Sequence, residues 1–133
     1  MRVKLLDVIG SRSAIENIGK LHPPARMAFT LARLSRTILG VIRDFEAVRA
    51  PLIDKYYLPE SQPGVRRAKS DDAALAYARE MREMQAAEID LEGVGPIKYE
   101  YLESFFEPES GPVAGNAYIT VGDLVALFWL MEE

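Results

Sequence analysis

Residues 23–56 read PPARMAFTLARLSRTILGVIRDFEAVRAPLIDKY, and this stretch decides the fold. Its apolar residues recur at alternating spacings of four and three, which is the period of an amphipathic helix with a coiled-coil-like seam. Pro23 and Pro24 predict where the helix begins, because proline suits the first helical position. A helix of about 33 residues spans about 50 Å. The seam consists of Met27, Leu31, Leu34, Ile38, Val41, Phe45, Val48 and Leu52.

Two other features of this stretch bear on its structure. Pro51 removes one helical hydrogen bond and pushes on the carbonyl of Ala47, so we expect a kink or a break there. The face opposite the seam is charged, and an exposed helical face ordinarily is. That face carries Arg26, Arg33, Arg36, Arg43 and Asp44.

Helices are also predicted on both sides of the long helix. Ser13-Ala14-Ile15-Glu16 has the form of a capping box and predicts a short helix that ends at Gly19. Ser70, followed by two aspartates, predicts the start of a helix that continues to about residue 87. Small residues on one side of this later helix would let it lie antiparallel against the long helix, as a hairpin.

The period changes from 3.6 to 2 at Glu88, which predicts strands. Residues 88–92 alternate polar and apolar, and Ile97, Tyr99 and Tyr101 do so after a glycine turn. Two strands are marginal alone, so residues 2–6 are a candidate third strand. Thr120-Val121-Gly122-Asp123 caps a final helix whose apolar run, residues 124–131, predicts burial on most sides. The predicted fold is α+β but mostly α, with a long helical hairpin, a small antiparallel sheet of two or three strands, and a buried C-terminal helix.

Composition places limits on the class of protein. A chain of 133 residues with 49% apolar and 27% charged residues is typical of one folded domain, here residues 1–133. There is no cysteine, which excludes disulfides and thiolate metal sites within this sequence. The N-terminal residues do not resemble a signal peptide, and the most apolar stretch has eight residues where a membrane crossing needs about twenty. We therefore expect a soluble, unsecreted protein with no membrane contact.

Charge is distributed unevenly along the chain. Residues 1–69 carry 13 basic and 6 acidic side chains, whereas residues 70–133 carry 3 basic and 14 acidic ones. One interpretation is that the two halves compensate each other within the fold. The other is that one half attracts a partner of opposite charge. The net charge of −4 argues against nucleic acid as that partner.

The residues point to binding rather than catalysis. His22 is the only histidine, and it precedes Pro23 at a helix entry, where a cap or solvent contact is the simpler role. Glu88, Asp90 and Glu92 would share one strand face, but a solvated face explains them without a metal. We expect no catalytic residue, no cofactor and no metal site.

Two groups of residues are candidates for binding. Arg66, Arg67 and Lys69 lie close together in a predicted loop, where they would contact an anion or an acidic partner. The apolar seam exceeds what a helix of about 17 residues, some 26 Å long, can cover. The remainder would pack on the sheet, on the C-terminal helix or on a second subunit. The candidate oligomer interface comprises Met27, Leu31, Leu34, Leu127 and Trp129.

The chain resembles a family of small uncharacterised proteins that tailed phages and prophages encode. The resemblance covers most of the chain in order, through short elements: Lys4-Leu5-Leu6-Asp7, the proline-led long helix with residues 45–56, Glu88-Ile89-Asp90-Leu91, and a closing helix from Thr120 to Glu132-Glu133. It implies a long helical hairpin and no known activity, so it carries over no site residues.

Taken with this resemblance, the sequence predicts a non-catalytic phage-type accessory protein of the host cytoplasm that binds another macromolecule as a homo-oligomer. The partner would be a host or phage protein, such as host transcription or defence machinery that the protein inhibits. One alternative is a structural or assembly component of the virion. Another is a sequestering binder of a small nucleotide that uses basic residues at a subunit interface.

Overall fold

A computed structural model of the protein describes residues 1–131. It is mostly helical, at 57%, with a small two-stranded antiparallel sheet, which confirms the predicted α-rich fold with a minor sheet. Glu132 and Glu133, which the resemblance assigns to the closing helix, lie outside the described residues. The elements in chain order are β1 (Arg2–Lys4), α1 (Leu5–Gly10), α2 (Arg12–Ile18), α3 (Ala25–Tyr56), α4 (Asp71–Ala86), β2 (Glu88–Asp90), α5 (Tyr99–Glu103), α6 (Val121–Ala126) and a 3₁₀ turn (Phe128–Leu130).

The long helix is present and dominates the molecule. α3 has 32 residues, close to the predicted length, and it continues through Pro51. A break at Pro51 is therefore wrong. Buried Phe45 anchors the helix before the proline, and beyond it the N–H of Tyr57 donates to the carbonyl of Ile53. Helical structure on both sides thus compensates for the single bond that the proline removes.

The core lies against the first two-thirds of α3, and its line of burial departs from the predicted seam. Leu31, Leu34 and Ile38 are buried as predicted, but Ile42 takes the place of Val41, and Val48 is exposed. A strict seven-residue repeat drifts by about 20° per heptad around a straight helix of 3.6 residues per turn. The buried face passes through Ile42 and then Phe45, a seam residue, and Val41 is half-buried against the core.

The elements that bury α3 differ from the expected ones, because the sequence predicted that the helix after Ser70 would cover it. The core combines α3 with α1, α2, the segment 91–97 and the C-terminal leucines, and α4 has no buried residue. α4 begins as predicted, where the Ser70 hydroxyl accepts the N–H of Ala73 at 3.0 Å. Between the two helices an antiparallel bridge joins Tyr57 to Ala68, and the ring of Tyr57 meets that of Tyr77 edge-on, at 5.2 Å between centroids.

The sheet pairs the first strand with the strand after α4. Val3 lies opposite Ile89 in antiparallel register. Residues 2–4, which lie within the candidate third strand of residues 2–6, therefore form one of the two strands. The second predicted strand, with Ile97, Tyr99 and Tyr101, is wrong. Residues 99–103 form α5, and the amide of Ile97 bonds instead to the carbonyl of Leu130. Ile97 is buried whereas both tyrosines are exposed, so the alternation does not describe one face of a strand.

The capping box at Ser13 is also wrong, because the second helix begins earlier. α2 follows α1 after a single residue, Ser11, which is fully buried. The Ser11 hydroxyl donates to the carbonyl of Val8 at 2.7 Å, and this bond satisfies its buried oxygen. Ser13 lies within the first turn of α2, and the helix ends before Gly19 as predicted.

The C-terminal segment differs from the expected single buried helix. The predicted cap is confirmed, since Thr120 and Asp123 form a capping box, but α6 ends at Ala126 and the 3₁₀ turn follows. Leu127 and Leu130 are fully buried, whereas Val125 and Phe128 are exposed. Residues three apart face the same way in a 3₁₀ turn, so only one side of this apolar segment reaches the core.

Candidate partner-binding surface

The solvent-facing side of α3 carries a row of arginines. All four are exposed, and in the described part of the chain none lies within 4 Å of a carboxylate oxygen. The first and last are 17 positions apart, which corresponds to roughly 26 Å along a helix. We call this row the basic face; it comprises Arg26, Arg33, Arg36 and Arg43, and the exposed carboxylate of Asp44 lies on the same side of α3.

An aromatic side chain interrupts the basic face near its beginning. Phe29 is 67% exposed, which is unusual for a large apolar side chain on a charged face. The guanidinium carbon of Arg33 lies 5.9 Å from the centroid of this ring, within the range of a cation–π contact. The contact holds Arg33 in place without neutralising its charge. Phe29 and Arg33 together therefore form a preorganised apolar and cationic contact.

Small residues lie between and beyond the arginines. Ala32 and Ala47 are exposed, and a side chain added at Gly40 would meet no atom within 4 Å. Such positions leave the backbone of α3 open to close approach by another element, as small residues do at helix contacts. The basic face is thus a shallow strip with charged edges rather than a pocket.

A cleft of about 450 Å³ lies beside the start of the basic face. Met27 and Leu31 of α3 form one wall, and Ile97 and Tyr101 form the other. Arg26 belongs to both the cleft and the basic face. The size is within the range of sites that bind a small ligand or a few side chains. The other lining residues are Pro24, Thr30, Gly95 and Pro96.

The predicted anion-contact residues are only partly available. The Arg66 guanidinium donates to the carbonyl of Leu58 at 2.8 Å and to the Asp54 carboxylate at 3.1 Å, so it holds the loop in place. Arg67 is exposed, and its carbonyl accepts the N–H of Leu58. Lys69 is exposed, and its N–H donates to the carbonyl of Tyr56. Arg66 is thus engaged within the loop, whereas the side chains of Arg67 and Lys69 are exposed.

The five candidate interface residues lie at different depths. Leu34 and Leu127 belong to the core, at 5% and 0% exposure, so neither presents surface on one protomer. Leu31 is also buried, although it lines the cleft, and Met27 is half-buried there. Trp129 is half-buried, and its indole N–H has no hydrogen-bond partner among the described residues. Accessible apolar side chains lie at other positions, among them Phe29, Val121 and Phe128.

Most acidic candidates are engaged in structural contacts. Asp90 pairs with the N-terminal ammonium at 3.2 Å, and Glu88 lies 3.7 Å from Arg2. Glu92 and His22 are exposed. Across residues 1–131, no three histidine, cysteine, aspartate or glutamate side chains cluster with the spacing of a metal site. Asp90 and Glu88 therefore join the two ends of the β1–β2 pair through exposed ion pairs.

Arg12 is the basic side chain with the strongest internal contacts. It donates to Glu16 at 3.3 Å and also to Glu46, which joins α2 to α3. Both hydrogen bonds raise the pKa of the Arg12 guanidinium, and the bond to Glu16 has the larger effect. Arg12 therefore differs from the basic face, whose arginines make no such pairs.

Sequence reasoning placed the four arginines on the exposed side of α3 but did not identify Phe29 or the cleft. Phe29 is a large apolar residue that lies outside the seam, and this position could have indicated that its side chain is exposed. The cleft depends on Ile97 and Tyr101, which were assigned to a strand.

In the part of the chain that the structure describes, no helix combines the length and apolarity needed to cross a membrane. Comparison with protein-family models, curated proteins and solved structures finds no match to this chain.

Proposed function

We propose that the protein acts by binding, without turnover, and that the basic face of α3 docks on an acidic surface of another protein. The observation that supports this most strongly is the row of four exposed arginines without ion-pair partners in the described chain. Burying such a row against carboxylates would give charge-assisted hydrogen bonds, and arginine forms these in a bidentate manner. Phe29, between Arg26 and Arg33, would supply an apolar anchor for the contact.

The chemistry favours an acidic protein over nucleic acid. The net charge is −4, and residues 70–133 carry 14 acidic side chains, which repel a phosphate backbone that extends past the basic face. The strip itself is flat and includes Ala32, Gly40 and Ala47, which suits the approach of a helix or a sheet edge. Because the basic face carries four arginines, its binding to an acidic protein would still weaken as the salt concentration rises.

The biological setting is part of the same proposal. The role is an accessory one against host machinery, carried out in the host cytoplasm as a homo-oligomer; the resemblance to tailed-phage proteins suggests the setting and carries no activity of its own. In this arrangement α3 and α4 form the long hairpin that presents the basic face, and the C-terminal segment supports it from the core side. The virion component and the nucleotide binder are the alternatives that an experiment must separate from it.

The test is quantitative affinity purification from a bacterial lysate with paired charge reversals. The double variant Arg33→Glu, Arg36→Glu removes the centre of the basic face. The matched control reverses two exposed arginines on α4, Arg79 and Arg82, to glutamate. We expect one bacterial protein with an acidic surface to be enriched by the wild type and the control, and at least tenfold less by the α3 variant.

Nuclease treatment of the lysate must leave this enrichment unchanged. Equal capture by both charge-reversed variants would contradict the assignment of the basic face, and loss after nuclease treatment would replace the protein partner with nucleic acid. Circular dichroism and thermal unfolding must show that both variants are folded. Detection of the protein in purified virions, with no lysate partner, would favour the structural role.

A further inference from the structure

The cleft at the start of α3 is continuous with the basic face, because Arg26 belongs to both. Thr30, which lines the cleft, lies one helical turn beyond Arg26. Arg33 follows Arg26 by seven positions, which corresponds to about 10 Å along the helix, and the other arginines lie further along. The cleft is therefore the beginning of the basic face rather than a separate site.

Both walls of the cleft are held by the core. Leu31 on the α3 wall and Ile97 on the opposite wall are buried. The N–H of Ile97 donates to the carbonyl of Leu130 at 2.8 Å, and Leu102, which follows Tyr101 in α5, is fully buried. The cleft is thus preformed, and a preformed site needs little ordering when an apolar side chain enters it.

The lining of the cleft combines apolar groups with one positive charge. Its apolar surface comes from Met27, Leu31 and Ile97, and the ring of Tyr101 is half exposed in the same cleft. Among the described residues that line the cleft, Arg26 alone is charged. Within residues 1–131 no carboxylate oxygen lies within 4 Å of its guanidinium. The chemistry therefore suits an occupant that is apolar at its tip and negatively charged beside it.

We propose that the partner presents a linear acidic segment to the basic face, and that an apolar side chain at one end of this segment enters the cleft. The carboxylates of the segment then follow the arginines from Arg26 to Arg43, a distance that about eight residues cover when extended. The inference rests on the proposed function and deepens it, since it names the kind of segment that the basic face binds.

A linear segment fits because the two features follow one another along a single helix. The cleft lies at the beginning of α3, and the arginines continue from it for about 26 Å. Phe29 lies between Arg26 and Arg33 along the chain and is exposed, so it offers a second apolar contact beside the path of the segment. An apolar pocket followed by a row of cations reads a peptide through its anchor residue and its charges.

Fluorescence anisotropy with the purified full chain and synthetic peptides tests the proposal. The probe is a labelled peptide of about twelve residues, rich in glutamate, with a tryptophan and a leucine at one end or at the other. One control peptide has two alanines in place of the apolar pair, and a second has serine in place of every glutamate. We expect the probe to bind at least tenfold more tightly than either control, because it alone uses both the cleft and the arginines.

Gly95→Leu tests the anchor by adding a side chain to the lining of the cleft. A Cβ at Gly95 would meet no atom within 4 Å, so the substitution is tolerated. Gly10→Leu is the matched control, because a Cβ at Gly10 is equally unobstructed and Gly10 does not line the cleft. We expect Gly95→Leu to abolish the tenfold gain and to leave binding of the alanine peptide unchanged, whereas Gly10→Leu changes neither. Tyr101→Ser, which removes one exposed wall, should reduce the gain as well.

Several results would overturn the proposal once circular dichroism has shown that the variants are folded. These are equal binding of the probe and the alanine peptide, a gain that survives both Gly95→Leu and Tyr101→Ser, and equally tight binding of the serine peptide. A dimer of the full chain that Gly95→Leu dissociates would assign the cleft to a second copy instead. If Arg33→Glu, Arg36→Glu weakens both acidic peptides while the cleft variants have no effect, this inference fails and the proposed function stands.

Discussion

Replacing Asp123 with alanine should destabilise the protein by about 2–4 kcal/mol, because one carboxylate joins two elements. Asp123 is buried, and its Oδ2 accepts the N–H of Thr120 at 3.0 Å in the capping box of α6. The side-chain amide of Asn17 in α2 donates to both carboxylate oxygens, also at 3.0 Å. Loss of a cap costs about 1 kcal/mol, and a hydrogen bond to a charged group contributes about 1.5–3 kcal/mol.

Urea unfolding followed by circular dichroism measures this change, and the midpoint of thermal unfolding should fall by roughly 8–15 °C. The double variant with Asn17→Ala isolates the link between α2 and α6. We expect a coupling free energy of about 1–2 kcal/mol, because each single substitution already removes the shared contact. A loss below about 1 kcal/mol for Asp123→Ala, or full additivity with Asn17→Ala, would refute the role of this carboxylate as a clamp.

Three further substitutions test the fold. Ile38→Ala should cost about 2–5 kcal/mol in urea unfolding, because Ile38 is fully buried in the core; a loss under 1 kcal/mol would contradict its central place. Pro51→Ala should raise the free energy of unfolding by about 1–3 kcal/mol, since α3 gains a hydrogen bond. Unchanged stability would show that the helix already accommodates the proline without cost. Ser70→Ala should cost about 1 kcal/mol through loss of the α4 cap, whereas Ser61→Ala in the exposed loop should be neutral.

The long helix and its two faces were predictable because they follow from local periodicity. The apolar spacing from Met27 onward fixes a helix regardless of what covers it, and the arginines of the basic face then lie on the other side. The exact line of burial was not predictable in the same way. It depends on which elements cover α3, and in the core that forms, Ile42 is buried whereas the seam residue Val41 is half-buried against it.

The elements that sequence reasoning misplaced depend on contacts between distant segments. Ile97, Tyr99 and Tyr101 alternate like a strand, but the amide of Ile97 bonds to Leu130, more than 30 residues away in the chain. Ser13 has the spacing of a helix cap, yet Ser11 is the single residue between α1 and α2. α2 therefore begins at Arg12, and Ser13 lies within its first turn. The cleft arises where such distant segments meet, since α3 and residues 95–101 line it together, so no local pattern predicted it.

Site-specific photocrosslinking from position 29 in living bacterial cells tests the central claim most directly. A photoreactive phenylalanine analogue at Phe29 lies in the basic face, and the same analogue at Leu75 on α4 has matched exposure, at 67% against 66%. We predict a covalent adduct from position 29 with one protein that presents an acidic surface, and none of that adduct from position 75. The absence of an adduct at position 29, or the same adduct at both positions, would contradict the proposal that the basic face binds a partner protein.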